Sequence, residues 1–419
     1  MAPDSPAPSP APAAGRAAFI FIFITVALDM LALGVMVPVL PKLVLQFEGG
    51  DMARAVAVTG VFGFVWAAMQ FVFAPVLGLL SDRYGRRPVV LLSNLGLGLD
   101  YVLMALAPTL GWLFVGRVVS GITAASFSTA GAYIADVTPP ERRAAQFGML
   151  GAAFGLGFVV GPAVGGLLGA IDLRLPFWVA AGLSLANAAY GLFVLPESLP
   201  RERRTPALAW ARANPLGSLK LLRSHPELFG LALAALLYFL AHEALPSIFV
   251  LYTDHRYGWT ESQVGLALAA IGVCSTLVSA LLVGPAVKRL GERRAVIIGL
   301  LYGAGGFAVY GLAPTGSLFL IGIPLMSLWG IAGPSMQSLM TRRVDPSEQG
   351  QLQGALGSMR GITGMVGPLL FTQVFAAAIS RHGAVGAPYV LAAVLVVLSV
   401  VLAASVTRRM QPAPHGERP

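Results

Sequence analysis

The chain has 419 residues, of which 56% are hydrophobic and only 11% charged, with 49 Gly and 30 Pro. A soluble domain carries about 25% charged residues, so this surface cannot face water throughout, which excludes a cytosolic enzyme. The net charge of +9 comes without a basic stripe interleaved with exposed aromatics, which removes nucleic acid as a partner, while one cysteine (Cys274), five scattered histidines and no Walker-type phosphate loop leave no disulfide, metal centre, cofactor or ATP site to build on.

Residues 1–16 open on a Pro/Ala/Ser-rich stretch with too little hydrophobic variety to pack, and read as a disordered tail. Apolar runs follow at 17–40, 56–80, 89–106, 112–135, 147–170 and 177–195, each near the roughly 20 residues that a helix needs to cross the bilayer. The first run exceeds the apolar core of a signal peptide and carries Asp29 and Pro38, so it reads as a retained span. Segment 196–226, with six Lys/Arg and five Pro, reads as a linker. Six further runs lie at 228–252, 264–287, 295–312, 317–340, 352–379 and 387–406, before a polar tail, 407–419. The expected fold is an all-α membrane protein of twelve spans, in six-helix bundles at 17–195 and 227–406.

If the amino terminus is inside, 21 of the 28 Lys/Arg lie at inner ends and loops, five lie outside, and Arg117 and Arg360 fall within spans. The positive-inside rule then places both termini in the cytoplasm, so the net charge is a topology signal.

The halves repeat. Gly78, Gly85, Arg87, Gly148, Gly161 and Pro162 match Gly284, Gly291, Arg293, Gly354, Gly367 and Pro368, each displaced by 206 positions. Such a pseudo-two-fold pair encloses its substrate between the halves and rocks about it. Between spans two and three, Gly78, Asp82, Arg83, Gly85, Arg86 and Arg87 form a tight basic turn, and Asp136 at the end of span four can join them in a charge cluster that latches the inner side while the cavity opens outward. Span five carries Gly148, Gly157, Gly161, Pro162, Gly165 and Gly166, a groove of small residues bent at the proline. The turn resembles the loop signature of the major facilitator superfamily, and the glycine string resembles the antiporter motif of its drug/proton exporters.

Closer similarity lies in Leu28-Asp29 through Pro41, Met69-Gln70 through Pro75, Leu99-Asp100-Tyr101, Gly116-Arg117 through Gly121, and Gly367-Pro368 through Thr372. Together these resemble the tetracycline/proton antiporter family. The resemblance implies a bacterial inner-membrane exporter that takes up a proton for each drug expelled, usually tetracycline as a divalent-cation chelate; the lipid bilayer is the expected medium of this chain and a monomer its expected working unit. It also implies functional polar roles for Asp29, Gln70, Asp82, Asp100 and Arg117. The sequence departs from the family in span nine, where Gly299 to Gly305 supplies no carboxylate, and in span eight, where Cys274-Ser275 stands in place of a histidine.

Charges inside spans cost about 2.5–3.5 kcal/mol each near mid-membrane, so Asp29, Asp100, Glu243, Arg117 and Arg360 should be paired or line a wet path. Asp100 and Arg117 flank the turn at Pro108-Thr109 almost equally, which predicts a direct pair, serving either structure or coupling. Asp29 has no basic neighbour in sequence and suits a proton carrier or a recogniser of cations. Glu243, with His242 beside it, either alternates between a proton and Arg360 or forms a permanent bridge to it. Phe127, Tyr133, Tyr238, Phe239, Trp329 and Gln337 are candidate lining residues. The expected function is proton-coupled drug efflux by alternating access, the alternative being an importer of a small organic nutrient on the same fold.

Overall fold

The computed structural model describes residues 12–124, 126–205, 216–224, 226–345, 347–381 and 383–409, and the regular structure among them is entirely helical. The ends of both expected tails, at 1–11 and 410–419, and part of the linker, 206–215 and 225, lie outside the described residues. Span one is Pro12–Met36, which takes in the last residues of the expected tail, and resumes after Pro38 as Leu40–Phe47. Spans two and three are Met52–Tyr84 and Arg86–Leu106. Span four joins Leu110–Thr123 to Ser126–Val137, and spans five and six are Pro140–Gly169 and Leu175–Val194.

In the second half, span seven joins Pro226–His242 to Ala244–Tyr257. Glu261–Leu277 continues through a wide turn, Val278–Leu282, into Val283–Leu312. This continuous helical stretch holds spans eight and nine, because Gly291 has a non-helical φ of 75°. Span ten runs through Gly316–Ser327, Leu328–Ile331 and Ala332–Thr341, and spans eleven and twelve are Gln349–Ser380 and Ala387–Arg409. Among the described residues, ten helical stretches are long and apolar enough to cross a membrane, one of them the double span Glu261–Leu312. The broken span four, whose first helix is apolar but only 14 residues long, completes twelve passages.

Span three illustrates how sequence directs each face. Leu92, Leu95, Leu99 and Leu106 are exposed along one side, while Val90, Leu97, Tyr101 and Met104 are buried along the other. Both stripes follow helical spacing, so the polarity is inside-out: the outer stripe meets lipid, and the buried one carries Asp100 into the bundle. Chain reversal after span two requires Gly85 at φ 109°, and its repeat mate Gly291 does the same after span eight. The repeat thus reaches backbone conformation.

The halves meet where span two packs on span eleven and span five on span eight. Glycine permits the approach. A Cβ on Gly161 would lie 2.6 Å from the Cα of Gly34 in span one, and one on Gly166 would lie 2.9 Å from the Cα of Gly265 in span eight, across the divide. Gly148, at the start of the same string, meets nothing.

Candidate functional site

Packing between the halves differs along their depth, with the face at which the described chain begins and ends serving as the basic face. Toward the opposite face, Gly63 would clash with Pro368, Gly166 with Gly265 and Gly272 with Val159 if any gained a Cβ. Toward the basic face, a Cβ on Gly78, Gly148, Gly151, Gly284, Gly350 or Gly357 would meet nothing within 4 Å. The molecule is closed on the far face and open on the basic one. Lys42, buried to 8%, closes it: its Nζ lies 3.0 Å from Glu261 and 3.3 Å from Asp254, and donates to the carbonyl of Trp259 at 2.9 Å. One cation of the first half thus holds three groups of the second.

Asp29 is buried in span one, where Asn187 of span six donates its amide to the carboxylate (2.9 Å) and to the carbonyl of Thr25 (2.8 Å). An asparagine in an apolar span was signal enough to find this partner, since a polar group there requires one.

Asp100 and Arg117 approach one another without the expected direct pair. Among the described residues, no ion pair within 4.0 Å joins them, and both carboxylate oxygens of Asp100 and two guanidinium nitrogens of Arg117 are buried without hydrogen-bond partners. Equal distance from a turn sets depth but not azimuth. Arg117 instead faces the Trp66 ring at 5.3 Å, while the Asp100 carboxylate sits over Gly116, 2.8 Å from where a Cβ would be. The Trp66 indole nitrogen and Ser120 hydroxyl are also buried without partners, and Gln70 is half-buried one turn beyond Trp66. Unsatisfied polar atoms from spans two, three and four beside one another suit a passage for water or protons.

In the second half, Tyr238, Phe239, Met336, Gln337, Leu356 and Arg360 line a shallow, open cavity. The Arg360 guanidinium lies 4.8 Å from the Phe239 ring centroid. Trp329 packs edge-on against Tyr238 at 4.7 Å, the His242 ring lies 5.5 Å from Trp329, and Gln337 donates its amide to Gln353 at 3.0 Å. The permanent bridge between Glu243 and Arg360 is absent: no ion pair joins them within 4.0 Å, and Glu243 instead packs its methylenes against Gly367. Seven residues separate Arg360 from Gly367 on span eleven, about 10 Å at helical rise, which explains the gap. Tyr133 is fully buried and donates to the carbonyl of Pro196 at 2.9 Å, so it lines no cavity; the Phe127 side chain lies outside the described residues. Gly303 of span nine sits under the indole of Trp329, whose Cγ would be 2.6 Å from a Cβ there.

At the basic face Arg86 bridges Asp82 and Asp136, the latter at 3.1 Å. Arg83 is not in this cluster; it lies over Tyr84 at 5.4 Å. Arg87 donates to the carbonyl of Leu192, and Glu197 accepts from the Arg86 amide (2.9 Å) and pairs with Arg204 (3.5 Å). All these bonds stay within the first half and its connector, so the cluster does not join the halves while this face is open. The second half builds its counterpart with reversed sign: Arg342 pairs with Glu292 at 2.9 Å, and Ser338 donates to Glu292. Under the 206-residue displacement Asp82, Arg86 and Asp136 become Lys288, Glu292 and Arg342, an inversion at all three positions. Carrying the repeat through the charged positions would have found it.

Two pseudo-symmetric lobes, closed on one face and open on the other, with charges gathered at mid-depth, define a secondary carrier that works by alternating access. The profile of the Major Facilitator Superfamily matches residues 22–368 and 231–419. Tetracycline resistance protein class C of Escherichia coli is 41% identical over 85% of this chain and 89% of its own, and class B, also of Escherichia coli, is 35% identical over 83% and 86%. The chain belongs to the major facilitator superfamily and, within it, to the family of tetracycline resistance proteins. Among solved structures, a human organic anion transporter is 25% identical at a TM-score of 0.69, covering 93% of this chain and 99% of that one. An inward-facing bacterial homologue of the human lysosomal transporter Spinster matches in fold at a TM-score of 0.77, with 17% identity over 96% and 100% of the two chains.

Proposed function

We propose that this carrier exports a tetracycline-type drug across the bacterial inner membrane in exchange for protons, acting as a monomer with both termini in the cytoplasm. The excess of Lys and Arg at the open face supports that orientation, so the conformation described is open to the cytoplasm and ready to load drug. Asp29, Asp100 and Glu243 are the proton carriers, with His242 beside Glu243; Gln70, Arg117, Tyr238, Phe239, Trp329, Gln337 and Arg360 contact the drug.

The observation that carries this reading is the coincidence of a sealed far face with unsatisfied carboxylate and guanidinium groups at mid-depth. A proton arriving at Asp100 or Asp29 from the outward-open state removes a charge that the closed bundle would otherwise bury, and so favours closure on the far face. Drug loaded from the cytoplasm then releases it. One proton falling through 100 mV yields about 2.3 kcal/mol, enough to concentrate a neutral drug several tens-fold. In a pump-deficient bacterial host, the intact chain is expected to raise tetracycline resistance, and Asp29→Asn, expressed to the same level, is expected to abolish that gain. Equal resistance from the two chains would overturn the assignment of Asp29, and no resistance from either would overturn the cargo.

A further inference from the structure

We propose that Arg360 and the aromatic wall beside it form a subsite for the acidic, delocalised oxyanion edge of a planar aromatic substrate. The inference rests on the exporter reading only in taking the space between the halves as the path of the cargo. Arg360 stands eleven residues into span eleven, about 16 Å from its start, deep enough that a guanidinium must be wet or partnered. Among the described residues no carboxylate lies within 4.0 Å of it and no side chain accepts from it; its guanidinium lies over the Phe239 ring, with the Tyr238 hydroxyl and the His242 ring near enough to feel its charge. A guanidinium carries five N–H donors, and a single ring contact leaves donors free for the cavity that it lines. The next residue, Gly361, touches Phe71 of span two, whereas Gly357 meets nothing, so Arg360 lies at the depth where the halves part.

The neighbours sharpen the selection. Tyr238 and Phe239 line the slot, with buried Trp329 packed edge-on behind Tyr238, the Gln337 amide is held by Gln353, and the nearest acid on the adjoining helices, Glu243, is about 10 Å deeper. A cation with no acid beside it, in an aromatic slot, favours a carboxylate, enolate or phenolate carried on a ring, because a planar fork pairs two oxygens at once. The slot is shallow and open on one side, so it takes one edge of the cargo while the remainder lies between the halves.

The test uses the purified full chain in detergent micelles, with salicylate as probe and salicylamide, its uncharged analogue, as control. Salicylate is expected to raise the unfolding temperature in a saturable manner and salicylamide to leave it unmoved, with Arg360→Gln weakening salicylate at least tenfold. If Arg360→Gln does not fold, Arg360→Lys, which keeps the charge but loses the fork, is expected to weaken it at least threefold. Equal shifts from the two probes, or unchanged salicylate affinity in whichever variant folds, would overturn the subsite. Tetracycline uptake by everted vesicles separates the two readings: uptake with an unaltered KM in Arg360→Gln sinks the subsite and leaves the exporter. Absent uptake with Arg360-dependent salicylate binding sinks the exporter and leaves the subsite.

Discussion

At the residue scale the decisive feature is that charges inside the bundle are supported unequally. Asp29 receives a hydrogen bond from Asn187, whereas the oxygens of Asp100 face a guanidinium that is turned onto an indole. Deleting a neutral donor to a charged group costs about 1.5–3 kcal/mol, so Asn187→Ala is expected to disturb Asp29 directly. Proton-coupled tetracycline uptake should fall about tenfold while the amount of folded protein stays near normal; unchanged uptake would show that the Asn187 bond is only structural. Gly161 is constrained by backbone instead of chemistry. Because a Cβ there would lie 2.6 Å from Gly34 Cα, Gly161→Val must pry spans one and five apart. Overpacking of this kind costs about 1–3 kcal/mol, visible as a lower unfolding temperature and poorer yield in detergent.

At the element scale, the charge-inverted turns after spans two and eight suggest that the two inner loops become complementary when the basic face closes. Under a pseudo-two-fold, identical loops would bring like charges together, and inversion turns that repulsion into attraction. Arg86→Glu is expected to slow tetracycline uptake at least fivefold by placing three acids together, and adding Asp136→Arg with Asp82→Lys, which copies the second half's pattern, to restore only the local cluster. Folding yield should recover in the triple variant while turnover stays slow, since both loops then carry the same signs. Full recovery of turnover would contradict complementarity between the loops. Much of this architecture was legible in sequence: spans from apolar runs, the turns from Gly85 and Gly291, the halves from the 206-residue repeat. Azimuth was not. Nothing in the spacing of Asp100 and Arg117 distinguishes a pair that touches from one that turns aside, and nothing near Glu243 states that Arg360 stands two turns or more away from it. The role of Lys42 is not legible in sequence either, because its partners Asp254 and Glu261 are more than 200 residues distant and become neighbours only when the halves dock.

At the scale of the whole molecule, that lysine decides which face is closed. Its two carboxylates retain 24% and 23% of their surface, so each pair contributes on the order of 1 kcal/mol, less than a sealed pair would. Bonds of that strength hold a state and still yield in every cycle. Lys42→Ala is therefore expected to shift the population toward the outward-open form. In a chain with Cys274→Ser and spin labels on the far-face ends of spans one and seven, the inter-label distance distribution should gain a longer component. A distribution identical to that of the lysine-bearing chain would remove Lys42 from the gate.

The central claim, that protons and drug pass in opposite directions through one rocking site, is tested most directly by following lumenal pH in respiring everted vesicles. With the intact chain, added tetracycline is expected to discharge part of the acid interior as drug accumulates, and both signals to vanish with an uncoupler or with Asp29→Asn. Tetracycline accumulation that neither draws on the proton gradient nor responds to the uncoupler would contradict the account.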